Sequence, residues 1–303
     1  MRVAGKLTGR ILRTLPQWDD RDQMRVHAIQ TGSVAIHERQ REGAGPGPLR
    51  LINTLLDRRW TGRLPIHMWL IEHPEGLIAV DTGETARVSE PGYFPRWQLY
   101  FRLAVREWVE PHEEAGPALR RLGFDPADVR WVVLTHLHTD HSGGLAHFPQ
   151  AEIVVSRREL RLASGALGPL RGFLPHRWPH WFSPRGLEFE RRAFGPFPDS
   201  VALTDAGDVH LVSTPGHTAG HLSVVVEEED DRLLFLAGDT SYTEDLMLRG
   251  AIDGVCPDAA AARRTVGRVR ELASERATVY LPTHDPGSGE RLDARQPTLV
   301  ESG

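Results

Sequence analysis

Cysteine is almost absent. Of 303 residues only Cys256 is one, which excludes an internal disulfide framework and a thiolate-rich zinc cluster. Any metal must then be held by histidine and carboxylate, and Cys256 reads as a small packing residue in a reducing compartment. Long apolar runs are missing too, since none approaches the roughly 18 residues of a membrane span. There is no basic excess either. A formal net charge of -5 argues against a nucleic-acid partner, which calls for a basic face. Like-charge blocks are short, and "EEEDD" at 227–231 reads as a hairpin turn. The N-terminal "MRVAGKLTGRILRTLPQWDD" lacks both a continuous apolar stretch and a small-residue cleavage site, so a signal peptide is not expected. No repeat of 20 to 50 residues is present. Hydrophobic residues at 40% and charged residues at 25% describe a soluble globular chain with a sizeable core, expected in the cytoplasm.

What is present is histidine in one place. "LTHLHTDHSGG" (134–144) follows the apolar run "VRWVVL" and crowds His136, His138, Asp140 and His141 into six positions. The pattern recurs along the chain. Strand-like "VHLVST" leads to His217 in "TPGHTAGH", "LLFLAG" leads to Asp239, and "ATVYLPT" leads to His284. A lone histidine is usually a surface or satisfied core residue. Four recurrences of strand followed by a ligand-type side chain are a different matter, because strand ends are rigid and their loops can converge on one point.

The spacing suggests two foci. His136 and His138, two apart on an extended segment, point the same way, whereas Asp140 and His141 come as the strand breaks and can face a second point. His136, His138 and His217 would form one site, and Asp140, His141 and His284 another, with the two carboxylate oxygens of Asp239 bridging them. Imidazole and carboxylate donors suit zinc, with iron, manganese or cobalt as alternatives. Two divalent ions roughly 3.5 to 4 Å apart can share a hydroxide and clamp attacking and leaving oxygens.

The surrounding pattern reads as strands at 26–37, at 64–83 as a pair turning at "HPEG", at "RWVVLT", 151–156, 209–217, 221–229, 232–239 and 277–285. Helical patterns cover 97–122, "RRELRLAS" and 258–276, with Gly123 as a stop and Asp125 capping a turn that opens on Pro126. "REGAGPGP" (42–49) reads as a loop. Residues 1–25 form an N-terminal extension, and 26–303 a single domain of sheets flanked by helices. Within it, 164–198 is too broken by proline and glycine for a regular element and too aromatic for a disordered linker. It is read as an insertion that either shapes a substrate pocket, with Trp181 and Phe182 in its wall, or packs on the protein's own core.

"THLHTDHSGG", "TPGHTAGH", "GDTSY" and "THD", in that order and preceded by "LIAVDTG", resemble the metallo-β-lactamase superfamily over roughly 26–290. The resemblance implies an α/β fold, an αββα sandwich of two facing mixed sheets, with the metal ligands just given at one edge. It implies that Asp81 is a structural residue behind the histidine loop rather than a ligand. "DTSYTED", with Tyr242 three residues after Asp239, is similar to the N-acyl-homoserine lactonase branch, where the tyrosine reaches the substrate carbonyl. The implied activity is a metal-dependent carboxylic ester hydrolase that opens N-acyl-homoserine lactones (quorum quenching) through a metal-bridging hydroxide. Tyr242 would stabilise the oxyanion, and Asp140 would carry the proton to the leaving oxygen. A thioesterase of glyoxalase II type or an organophosphate or aryl esterase would use the same site. The partner is then a small lactone or ester, and a homodimer is compatible with the sequence.

Overall fold

The computed structural model describes residues 24–47 and 49–300. The expected extension, 1–25, lies outside the described residues except for Met24 and Arg25, and Arg25 already begins the first strand.

The strands are β1 (Arg25–Ile36), β2 (Leu64–Glu72), β3 (Leu77–Val80), β4 (Val105–Trp108), β5 (Val129–Leu134), β6 (Glu152–Ser156), β7 (Arg185–Leu187), β8 (Ser200–Ala202), β9 (Val209–Ser213), β10 (Leu222–Glu227), β11 (Leu233–Gly238) and β12 (Thr278–Pro282). The described residues form a seven-stranded sheet, ordered β4-β1-β2-β3-β5-β6-β7, and a five-stranded sheet, ordered β12-β11-β10-β9-β8. Both are mixed. In the first, β1, β2 and β3 are antiparallel neighbours and β3, β5, β6 and β7 run parallel; in the second, only β11 and β12 are parallel.

Alternation along each strand builds the layers. Trp69, Ile71, Val80 and Val133 of the first sheet meet Leu211, Leu222, Val224, Leu234, Leu236, Val279 and Leu281 of the second in one buried cluster. The intervening positions face outward. Val132 and Leu134 pack with Leu119 and Phe148, while Val225, Phe235 and Tyr280 pack with Val266, Val269 and Leu272. Those last three lie on the buried face of the helix Ala259–Glu275, which starts where the Asp258 carboxylate caps the amides of Ala260 and Ala261. Helices thus cover both outer faces of two stacked sheets, which is the αββα sandwich. No helix among the described residues is long and apolar enough to cross a membrane.

The main difference from the expected elements falls in 97–122. A helix over Leu99–Ala104 gives way to β4, and a second helix runs over Ala115–Arg121. β4 pairs with the edge of β1, from Ser33↔Trp108 to Ile36↔Val105, so a sheet partner distant in sequence overrides the local helical pattern. The loop at 42–49 runs into a helix over Leu49–Leu56 that the pattern does not announce.

Candidate metal centre

All the loops bearing the histidines and aspartates leave the same edge of the sandwich. Past β5, the backbone turns through a short helix, Thr139–Ser142, rather than the loop that the spacing suggests. That turn separates His136 and His138 from Asp140 and His141. Leu222 N donates to the carbonyl of Thr135, which ties the two sheets together, and Thr283 N to that of Gly238, which ties the ends of β11 and β12 within the second sheet.

Three ring nitrogens converge first. His136 Nε2 is 3.1 Å from His138 Nδ1, which is 3.0 Å from His217 Nε2. Beside them, His284 Nε2 is 3.4 Å from Asp140 Oδ2, and His141 Nε2 is 3.8 Å from Asp140 Oδ1. Asp239 lies between. Its Oδ1 is 3.3 Å from His141 Nε2 and 3.5 Å from His284 Nε2, and its Oδ2 is 3.5 Å from His217 Nε2. All seven candidate side chains are therefore gathered in two groups of three around a carboxylate that turns one oxygen to each.

The second nitrogen of each ring is held from behind. His284 Nδ1 donates to the carbonyl of Pro65 at 2.9 Å, and His138 Nε2 to that of Arg171 at 3.1 Å. Carbonyls only accept, so each of these rings carries a hydrogen outward and leaves its other nitrogen to face the centre, where, against burial, the Asp239 and Asp140 charges raise His284 to about 10 in the absence of a cation. His141 Nδ1 meets Asp81 Oδ2 at 2.8 Å, His217 Nδ1 meets Asp253 Oδ2 at 3.2 Å, and His136 Nδ1 meets Thr135 Oγ1 at 3.1 Å. Asp81 sits at φ 60 at the end of β3, and its Oδ1 accepts from Thr135 N at 2.8 Å. The left-handed backbone costs on the order of 1 kcal/mol or more, and it turns the carboxylate behind the histidine loop. At Gly238, before Asp239, φ is 57, and a Cβ would stand 2.7 Å from His221 Nε2 and 2.8 Å from Thr135 Cβ. Only glycine allows that approach.

Sequence reasoning missed several supports. Asp253 and the carbonyls of Pro65 and Arg171 carry no local signal. Glu159, inside a helical pattern, is wholly buried and accepts from Leu137 N, Thr218 Oγ1 and Gly220 N, tying the two histidine motifs together. His221 accepts from Asp239 N at 3.0 Å; its place in "TPGHTAGH" was the available sign.

Electrostatics sort the group. Burial and neighbouring imidazoles hold His136 well below its usual range and His138 at about 4, so both are neutral donors. Burial opposes ionisation of Asp140 and Asp239, but the surrounding histidines outweigh it. Asp140 falls to about 2, Asp239 falls well below the carboxylate range, and both are anions. His141 Nε2 and Asp239 Oδ1 are buried without hydrogen-bond geometry although 3.3 Å apart. Leaving two such atoms unsatisfied costs roughly 1–3 kcal/mol each, and a cation held among them would satisfy both. The donor set fits divalent metal.

Tyr242 is buried. Its ring stacks on His284, with centroids 5.4 Å apart, and meets His217 edge-on at 6.2 Å, so it borders both groups. Its hydroxyl is 3.1 Å from Gln40 Nε2. Segment 164–198 divides. Its start approaches the centre, with the Phe173 ring 5.1 Å from His138 and Leu170 exposed next to Arg171. Trp181 and Phe182 instead pack on the outer face of the first sheet, so the pocket-wall reading does not fall on them.

The family model for the metallo-beta-lactamase superfamily matches residues 61–284. An N-acyl homoserine lactonase, AttM, of Rhizobium radiobacter is 29% identical over 234 residues, covering 74% of this chain and 82% of that protein. A solved N-acyl homoserine lactone hydrolase, with N-hexanoyl-L-homoserine bound at its catalytic metal center, superposes with a TM-score of 0.70 at 22% identity. The match covers 88% of this chain and 94% of that one. AidC, a dizinc quorum-quenching lactonase, does so with a TM-score of 0.62 at 16% identity, covering 88% and 89%. Both share the fold.

Proposed function

The chain belongs to the metallo-β-lactamase superfamily of hydrolases, and from that premise we propose that it is a dinuclear lactonase that opens N-acyl-homoserine lactones. His136, His138 and His217 would hold one ion and Asp140, His141 and His284 the other, with the carboxylate of Asp239 available to both. Two divalent ions bound there, zinc first by the donor set, would supply a nucleophile at neutral pH and Lewis acidity at the carbonyl.

The observation that carries the choice of lactone is Tyr242. Burial, and then the charge of Asp239, hold its phenol well above the usual range, so it stays protonated and can donate. Its ring borders both metal groups, where a donor can meet an oxyanion forming on the substrate carbonyl. The likeness to AttM over most of that protein's length supports the same substrate class. Asp140, with 17% of its side chain exposed against 3% for Asp239, is the ligand carboxylate open to substrate. It carries the proton from the attacking water to the ring oxygen.

The test sets metal-loaded protein against homoserine lactones, thioesters and aryl esters in parallel. Lactones should turn over fastest. Tyr242→Phe should lower lactone turnover ten- to a hundredfold, about 1.4–2.7 kcal/mol, at unchanged metal content. Faster thioester or aryl ester turnover, or a Phe variant as fast as the parent, would remove the lactonase assignment.

A further inference from the structure

Gln40 is a polar side chain that the mechanism above does not use, yet it is buried and its amide meets the Tyr242 hydroxyl. It lies in the turn of helix Glu38–Arg41, just past the end of β1. Its backbone is fixed to the segment that holds His217: Gly254 N donates to the Gln40 carbonyl at 2.8 Å, and Gly43 N to that of Ile252 at 2.8 Å. The approach is close enough that a Cβ on Gly254 would meet the Arg39 carbonyl oxygen at 2.1 Å. Gln40 is therefore anchored next to Asp253, the partner of His217.

The direction of the hydrogen bond matters. A phenol has one hydrogen to give and lone pairs to receive. Gln40 Nε2 donates to the Tyr242 oxygen, and the Tyr100 hydroxyl lies beside the same amide. An NH₂ group has two hydrogens, enough for both phenols. In this orientation of the amide, Gln40 Oε1 is turned away from the phenols and is buried without a hydrogen-bond partner. Among the described residues no acceptor is found for the Tyr242 hydrogen.

We propose that Gln40 is a positioning residue for the reaction: by donating to the Tyr242 oxygen it fixes that hydroxyl and keeps its hydrogen free for the substrate carbonyl. The proposal rests on the reading of Tyr242 as the oxyanion donor. A residue that only accepted at this position would draw the hydrogen away from substrate, although size and packing were kept.

Gln40→Glu tests this when assayed at alkaline pH, since burial raises a carboxyl at this position and only its ionised form is a pure acceptor, and Gln40→Met gives the uncharged control of similar length. Both are measured in the metal-loaded enzyme, on whichever lactone, thioester or aryl ester the parent hydrolyses fastest. Failure of the lactone assignment is thereby kept separate. Gln40→Glu should lower kcat as far as Tyr242→Phe does, ten- to a hundredfold, with KM little changed. Gln40→Met should lose severalfold less. In the Tyr242→Phe background, Gln40→Glu should cost less than a further twofold, since the hydroxyl it acts through is gone. Full additivity in the double variant would overturn the proposal and make the effect one of charge or packing. A Gln40→Glu variant as active as the parent would also overturn it. A Tyr242→Phe variant with normal turnover would remove the donor and the proposal with it. Metal content and melting temperature measured on each variant separate these outcomes from misfolding.

Discussion

At the scale of the residue, a histidine here is defined by what stands behind it. His67 shows the other side of that rule. It is near the centre but not among the proposed ligands, and it gives its Nδ1 to the carbonyl of Thr283 at 3.0 Å. Burial, with the neighbouring His284 adding to it, pulls His67 down to about 4, against an ordinary value of about 6.5. As pH falls the unfolded chain takes up this proton first. The stabilisation is present above about pH 6.5 and is lost as pH drops toward 4. His67→Gln removes the titration. In metal-free protein, the advantage of the parent over this variant in denaturant unfolding should shrink by about 2 kcal/mol between pH 7 and pH 5. Parallel pH curves for the two proteins would refute this. The seven candidate ligands stood out in sequence because each comes shortly after a strand. Asp253 was not, because its bond to His217 spans 36 positions and depends on how two loops meet in space.

At the scale of the element, legibility followed local pattern. β5, β10 and β12 carry alternating or continuous apolar runs and appear where the sequence puts them. β4 does not announce itself, since its strand character comes from pairing with β1. Segment 164–198 was read as too broken for a regular element, yet it contains β7, Arg185–Leu187, paired in parallel with β6, and its aromatics could not be assigned to pocket or core without a partner surface. The described structure divides it: Gln98 Nε2 donates to the Pro169 carbonyl at 2.6 Å, joining exposed Leu170 to exposed Trp97 and Leu99. Leu170→Ser should therefore weaken long-acyl lactones more than short ones, roughly tenfold at most, or about 1.4 kcal/mol. Trp181→Ala should instead lower stability by roughly 1–3 kcal/mol and leave the chain-length profile unchanged. Kinetics across an acyl series and denaturant melts check both, and a chain-length effect at Trp181 with none at Leu170 would reverse the assignment.

At the scale of the whole molecule, the sandwich is cut cleanly by sequence. Strands β1 to β7 make the first sheet and β8 to β12 the second, and the candidate centre draws on both. Ions held there would bind only the folded arrangement and so stabilise it. With ligand at a thousandfold above Kd, each would contribute about 4 kcal/mol. Elemental analysis should give two divalent ions per chain. Chelation should lower the melting temperature by roughly 10 °C or more, at about 2–4 °C per kcal/mol for chains of this class. A metal content near zero after loading, or a melt indifferent to chelator, would remove the dinuclear reading.

The division between sheets also sets an order in time. His136 leaves the ribosome well before His284, and at roughly 5–20 residues per second the chain spends on the order of ten seconds with the first half of its proposed ligands made and the last not yet translated. By the time residue 239 is made the first proposed group of three and the carboxylate beside it are present, while the second still lacks His284. Completing the second proposed group would then be an event of the finished chain, and a product cut short before the final strand would lack His284.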